Sequence, residues 1–264
     1  MNAARHMKKK MMISMFGLSL AIVCTICITP AWVASAASST DKAEAPSDAQ
    51  LDRLDALVTR TENIYSIKKL IYVFGYYRDK FLDDEVLSLF TDSAVADADG
   101  GKYIGKNSVR RLITGPHFKM AEAVGKQGPQ PGLLNDHIIM QEVIDVDPSG
   151  VSAKARFKDW IAQAVQGKSQ TMGSMIYEAE FRKEDGIWRI SGLTICSRYD
   201  YPYLGNLRDT PVPNAAPPVP KFYPGDPQGP DRQSNTACHP WPLAGITPPF
   251  HYVHPVTGDQ INKP

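Results

Sequence analysis

Two side chains in this sequence combine a reactive type with a suggestive position: an aspartate closing an aromatic helical face, and a histidine opening a strand-like run. In Tyr72-Val-Phe-Gly-Tyr76-Tyr-Arg-Asp79, residues 72, 76 and 79 are spaced i, i+4, i+7 and share one face of a helix that ends near Asp79. His137 begins an apolar-rich run further along the chain. An imidazole takes up a proton near neutral pH, and a carboxylate on one ring nitrogen prepares the other to do so. The expected pair is therefore Asp79 orienting His137, with His137 as the base. Spacing alone establishes only the shared helical face: a lone histidine is more often structural, and Asp79 could equally be a helix cap.

Further candidates come from the later strands. In Val151, Ala153, Ala155, Phe157, Asp159 and Ile161, one strand face is apolar except for Asp159, while Lys154, Arg156 and Lys158 point the other way. A carboxylate on an apolar face is costly unless paired or protonated. Asp159 is read either as an oxyanion or proton donor, or as the mark of a slipped register or a salt bridge at the rim. Tyr177 shares a face with Met175, Ala179 and Phe181, where it could donate to a substrate oxygen or simply pack. Tyr72, Tyr76, Phe157, Asp159 and Tyr177 make up the candidate substrate-binding set. His117, His239, His251 and His254 lack metal-ligand spacing, and no glycine-rich phosphate loop or nucleophile elbow occurs. The expectation is chemistry without a metal or cofactor.

The elements that must position these groups follow from periodicity. Leu51, Leu54, Leu57 and Val58, then Ile64, Ile67, Leu70, Ile71 and Phe74, predict two helices or one bent helix over about 50–80, the second capped by Thr61 or Asn63. A short helix over Asp83–Phe90 follows, with acids in its first turn, then a hairpin around Asp99-Gly-Gly and a helix over Val109–Thr114 stopped by Gly115-Pro116. Residues 116–135 read as a long loop. Runs over His137–Val146, Val151–Val165, Thr171–Arg182 and Ile187–Arg198, separated by turn residues, predict an antiparallel meander with Trp188 in the core or an interface. Helices first and a meander afterwards is an α+β arrangement.

The run Ile67 to Asp79, the stretch Ser88-Leu-Phe-Thr-Asp-Ser-Ala94, Tyr103-Ile-Gly, His137, and Tyr177-Glu-Ala-Glu-Phe-Arg-Lys-Glu-Asp-Gly-Ile-Trp188-Arg-Ile together resemble the SnoaL-like branch of the NTF2-like superfamily. The likeness spans about 50–200 and is nearest to the scytalone dehydratase and hexachlorocyclohexane dehydrochlorinase types. It implies an NTF2-like cone, with N-terminal helices packed on a curved antiparallel sheet. It also implies a His–Asp dyad, His137 and Asp79, that removes a proton from carbon in an elimination. The dehydratase pattern carries a second histidine where this chain has Asp159. Pro242-Leu-Ala-Gly-Ile246 is similar to the dehydrochlorinase tail and suggests that the tail docks.

The ends of the chain have a different character. Arg5 and Lys8 to Lys10, the apolar run Met11–Ile28 and Ala34-Ser-Ala36 predict a signal peptide over 1–36. The run is also near the lower limit for a membrane anchor. Residues 37–50 read as a flexible leader, 51–200 as the domain and 201–264 as a tail. Cleavage takes the formal charge from +1 to −3, which gives no electrostatic reason to expect a nucleic-acid partner. Fifteen of the 21 prolines lie from Pro202 onward, so neither a helix nor a central strand can persist there. Residues 211–231 are expected to bridge in extended form and the later part to dock. Cys196 and Cys238 could form a disulfide in an oxidising compartment or remain buried thiols. The expected protein is exported, periplasmic or extracellular, homo-oligomeric, off the membrane after cleavage, and takes a small apolar or aromatic partner.

Overall fold

The computed structural model describes residues 45–124, 129–202, 219–236, 238–243 and 247–261. The expected signal peptide and most of the leader lie outside the described residues. A single helix, α1, runs over Asp48–Asp79 where two were the alternative. Ser47 starts it with a capping box: the Ser47 hydroxyl accepts from the Gln50 N–H, and the Gln50 side chain accepts from the Ser47 N–H. Thr61 caps nothing, since its hydroxyl bonds back to the Leu57 carbonyl within the continuing helix. Residues 45–62 are exposed throughout, so Leu51, Leu54, Leu57 and Val58 are not core despite their spacing. From Asn63 onward the helix is packed, with Ile67, Leu70, Ile71 and Phe74 buried.

Asn63 marks the change. Its side-chain carbonyl accepts from Lys183 Nζ at 2.8 Å and from the Trp188 indole N–H at 3.1 Å, and Trp188 is buried. Asn63→Ala would leave that indole donor without an acceptor, a loss of about 1–3 kcal/mol. The change should appear as a lower urea midpoint with an unaltered slope.

The short helix α2 (Asp83–Ser88) leads into the hairpin of β1 (Phe90–Ala98) and β2 (Gly101–Ile104). Helix α3 then spans Lys106–Val124, which corrects the expected stop at Gly115-Pro116 and the expected loop from 116. Proline lacks an N–H and normally breaks a helix. Here Val109 and Ile113, buried about two turns and one turn before Pro116, anchor α3 on the core, and tertiary packing overrides the local signal.

Strands β3 (Leu133–Val146), β4 (Ser152–Val165), β5 (Ser169–Glu184) and β6 (Ile187–Pro202) form the expected antiparallel meander. β6 then pairs in parallel with β1, and a two-residue strand β7 (Arg232–Gln233) closes the order β3-β4-β5-β6-β1-β2-β7. The result is a curved, unclosed sheet with helices on its inner face, an α+β fold. That inner face carries Ala155, Phe157, Tyr177, Ala179 and Phe181 against Ile67, Ile71 and Phe74 of α1.

The tail is described in three stretches. Residues 219–231, expected to be extended, fold back instead: the Tyr223 N–H donates to the Pro230 carbonyl at 2.9 Å. Further on, Cys238 is bonded to Cys196 of β6, with Cα atoms 5.4 Å apart, and the Trp241 N–H donates to the Arg198 carbonyl. The later tail therefore docks on the sheet's outer face, where Arg156 and Glu178 form a cross-strand pair.

Candidate functional site

The inner face of the sheet brings His137, Asp159 and Tyr177 together. His137 lies on the edge strand β3 opposite Ile161 of β4, and the strand alternation that buries Phe157 also buries Asp159. His137 Nδ1 is 2.7 Å from Asp159 Oδ2, and neither side chain has any solvent exposure. The Tyr177 hydroxyl donates to the same oxygen at 3.0 Å. Phe157 stacks on the Tyr177 ring at 5.0 Å and Phe74 meets it edge-on at 6.2 Å, so the phenol has little freedom to move.

This arrangement corrects the expected partnership. Asp79 does not hold the imidazole: its carboxylate accepts the backbone N–H of His137 at 2.8 Å. The orienting carboxylate is Asp159, which lies on the apolar strand face where it was expected. It lies in the interior, not at a rim salt bridge, and it accepts two hydrogen bonds from protein groups.

A second charge balances the interior. Arg78, one residue before the helix end, is also buried and acts on Tyr177 from the side opposite in charge to Asp159. Burial, and then the Asp159 charge, push the Tyr177 phenol well above its ordinary pKa, with Arg78 opposing. Tyr177 therefore remains a proton donor at any physiological pH. Around Arg78, Asn135 donates to its backbone carbonyl at 2.9 Å and Gln163 in turn donates to Asn135 at 2.7 Å.

The remaining candidates line a cleft between α1 and β3, of about 400 Å³, bounded by Tyr72, Tyr76, Asp79, Asp136, His137, Ile138 and Ile139. Tyr76 is mostly exposed on its wall. Tyr72 donates to Glu142 at 2.9 Å, and Lys68 pairs with the same carboxylate at 2.5 Å. Burial pushes the Glu142 carboxyl up, but these hydrogen bonds outweigh it and hold the group below its ordinary value. The two elements approach closely because of Gly75, where a Cβ would lie 2.8 Å from Ile139 Cγ1. That approach lets Asp79 reach the β3 backbone.

Burial is the largest influence on Asp79 and raises its pKa; the His137 N–H pulls the other way, while Asp136 and Asp159 add to the rise. The folded protein thus holds this proton more tightly than the unfolded chain does. The contribution to stability is present below the unfolded value of 3.8 and is lost as pH climbs through the raised folded value. Asp79→Asn should remove that part of the pH dependence, giving a flatter plot of urea midpoint against pH between 3.8 and neutrality.

Sequence reasoning missed the His137–Asp159 pairing and the roles of Arg78, Asn135 and Glu142. Asp159 could have been found by setting its inner-face parity beside that of His137. Arg78 gave no such signal, because an arginine beside a helix end reads as a solvated cation.

A family model described as a SnoaL-like domain matches residues 59–194. Among solved structures, a hexachlorocyclohexane dehydrochlorinase from Novosphingobium barchaimii is 18% identical, with 56% of this chain and 95% of that one covered and a TM-score of 0.46. A proposed scytalone dehydratase from Novosphingobium aromaticivorans is 15% identical over 57% of this chain and 93% of its own, also with a TM-score of 0.46. An NTF2-like protein with a cystatin-like fold from the same species is 19% identical over 56% and 90%, at the same TM-score. No curated protein matches the chain.

Proposed function

Because the chain belongs to the SnoaL-like domain family, matched over residues 59–194, we propose that it is a cofactor-independent lyase that removes a proton from carbon in a small apolar molecule. The observation that carries this reading is the 2.7 Å contact between His137 Nδ1 and Asp159 Oδ2 in a dry interior. With Nδ1 held, Nε2 is the nitrogen assigned to proton transfer, and Asp159 stabilises the imidazolium that forms. The C–H electrons become the new double bond as the leaving group departs, and the proton resides on Nε2. Tyr177 holds Asp159 in place through the second hydrogen bond.

The 400 Å³ cleft beside Asp79 and His137 is the proposed entrance. The imidazole itself is closed off from solvent, so α1 and β3 must part locally for a substrate to reach it. The same closure favours a second reading, in which the protein captures an apolar ligand without turning it over and the His137–Asp159 pair is a buried brace.

The disulfide between Cys196 and Cys238 supports a further part of the proposal, that the protein is exported to an oxidising compartment. A thermal-shift screen of small apolar and aromatic compounds tests the main reading, since a ligand at 100 times its Kd stabilises by about 2.7 kcal/mol. Hits are then assayed for turnover. Turnover by wild type that disappears in His137→Ala supports the lyase. Binding without turnover, unchanged in His137→Ala, replaces it with the capture reading.

A further inference from the structure

The cleft between α1 and β3 carries a charge pattern that proton removal at His137 does not use. Asp79 accepts the His137 N–H at 2.8 Å, which sets its carboxylate beside Asp136, the residue before His137. Both acids are half-buried and both line the cleft. Among the described residues Asp136 forms no hydrogen bond or ion pair, and Asp79 accepts only that backbone N–H. The last carbonyls of α1 add to the negative field, because the helix ends at Asp79 and a helix C-terminus carries about half a negative charge.

Little positive charge opposes them. No lysine or arginine lines the cleft. The nearby Lys68 is paired with Glu142, and Arg78 is buried. Burial raises the Asp79 pKa most, the His137 N–H lowers it, Asp136 and Asp159 raise it further, and Arg78 opposes them least of all. The helix wall of the cleft is aromatic, with Tyr72 and Tyr76 one turn apart on the same face of α1. The Lys68 ammonium already lies 5.6 Å from the Tyr72 ring centre, whereas the mostly exposed Tyr76 ring has no cation over it among the described residues. A tyrosine face attracts an ammonium group, and unpaired carboxylates hold it there. Ile138 and Ile139 offer apolar surface, and the 400 Å³ volume has room for a ring bearing one such group.

We propose, on the reading that this cleft is the entrance to His137, that its substrates are organic cations. Each has an apolar or aromatic body and one ammonium group, which lies over Tyr76 between Asp79 and Asp136. Asp136 and Tyr76 are then the residues that select the substrate.

The test is calorimetric titration of the full chain, tail included, with benzyltrimethylammonium, neutral benzyl alcohol and anionic phenylacetate at low ionic strength. The cation should bind at one site per chain, about tenfold more tightly than the alcohol, and the anion more weakly than either. Asp136→Asn should weaken cation binding about fivefold and leave the alcohol unchanged. Tyr76→Leu, on an exposed position, should weaken it about threefold. Asp52→Asn, which removes the same charge from the exposed start of α1 roughly 40 Å away, should change nothing. Equal affinity for cation and alcohol overturns the proposal, as does equal cation affinity for wild type and Asp136→Asn. Equal weakening by Asp52→Asn and Asp136→Asn overturns it too, since the net charge of the chain then accounts for the binding. Turnover of neutral substrates alone would overturn this assignment and leave the lyase standing, whereas selective cation binding without turnover would remove the lyase and leave this assignment.

Discussion

Asp159→Ala is expected to lower stability by about 2–6 kcal/mol, because two buried donors lose their acceptor at about 1–3 kcal/mol each. The change strips the acceptor from both His137 Nδ1 and the Tyr177 hydroxyl, and both groups are buried away from solvent. Asp159→Asn keeps the volume and one acceptor oxygen, so its structural cost should be smaller. If a substrate is turned over, however, Asn should lower kcat by about four orders of magnitude, because an amide no longer fixes the ring tautomer or stabilises the imidazolium. Urea unfolding of both variants, followed by kinetics on Asp159→Asn, separates the two roles. A loss below about 1 kcal/mol for Asp159→Ala would show that the interior relaxes around the missing carboxylate and that the network is not tightly built.

The second large effect belongs to the disulfide. Cys196 and Cys238 are separated by 42 residues, and closing a loop of that length removes enough unfolded-chain freedom to stabilise the fold by about 4 kcal/mol. Reducing the bond, or replacing Cys238 with serine, should lower the urea midpoint by the corresponding amount. A reductant should shift the wild type and leave Cys238→Ser where it is. If both shift equally, the reductant acts elsewhere; if neither does, the docked tail is held by Arg156, Glu178 and His251 alone.

Much of the fold was legible because it rests on local periodicity. The four strands of the meander were expected within a few residues of their observed limits, since alternation and turn residues such as Asp147 to Gly150 and Lys183 to Gly186 are local signals. The failures share one cause, that distant packing decides. Pro116 reads as a stop, but the burial of Val109 and Ile113 carries α3 past it. Leu51, Leu54, Leu57 and Val58 have core spacing yet stand in solvent, because α1 is bonded to the sheet only from Arg60 and Asn63 onward among the described residues.

The site was half legible for the same reason. The types and strand parity of His137, Asp159 and Tyr177 were visible, and all three prove to meet. Which carboxylate meets the imidazole depends on the pairing of β3 with β4, and no spacing within either strand reveals that. Asp79 remained attractive because it is close to His137 in space, but it serves the backbone instead.

The parallel pairing of β1 with β6 has a consequence for the order in which the molecule can form. Val95 of β1 meets Gly192, so the first hairpin finds its sheet neighbour only when about a hundred later residues are present. Until β6 exists, the hairpin has no partner on that edge, and the meander meets the first half only through the packing of α1 on β3. Closure of the domain is therefore a late, non-local event. A truncation before Ile187 should therefore leave the β1–β2 hairpin without its sheet neighbour, even though α1 can still pack on β3 to β5.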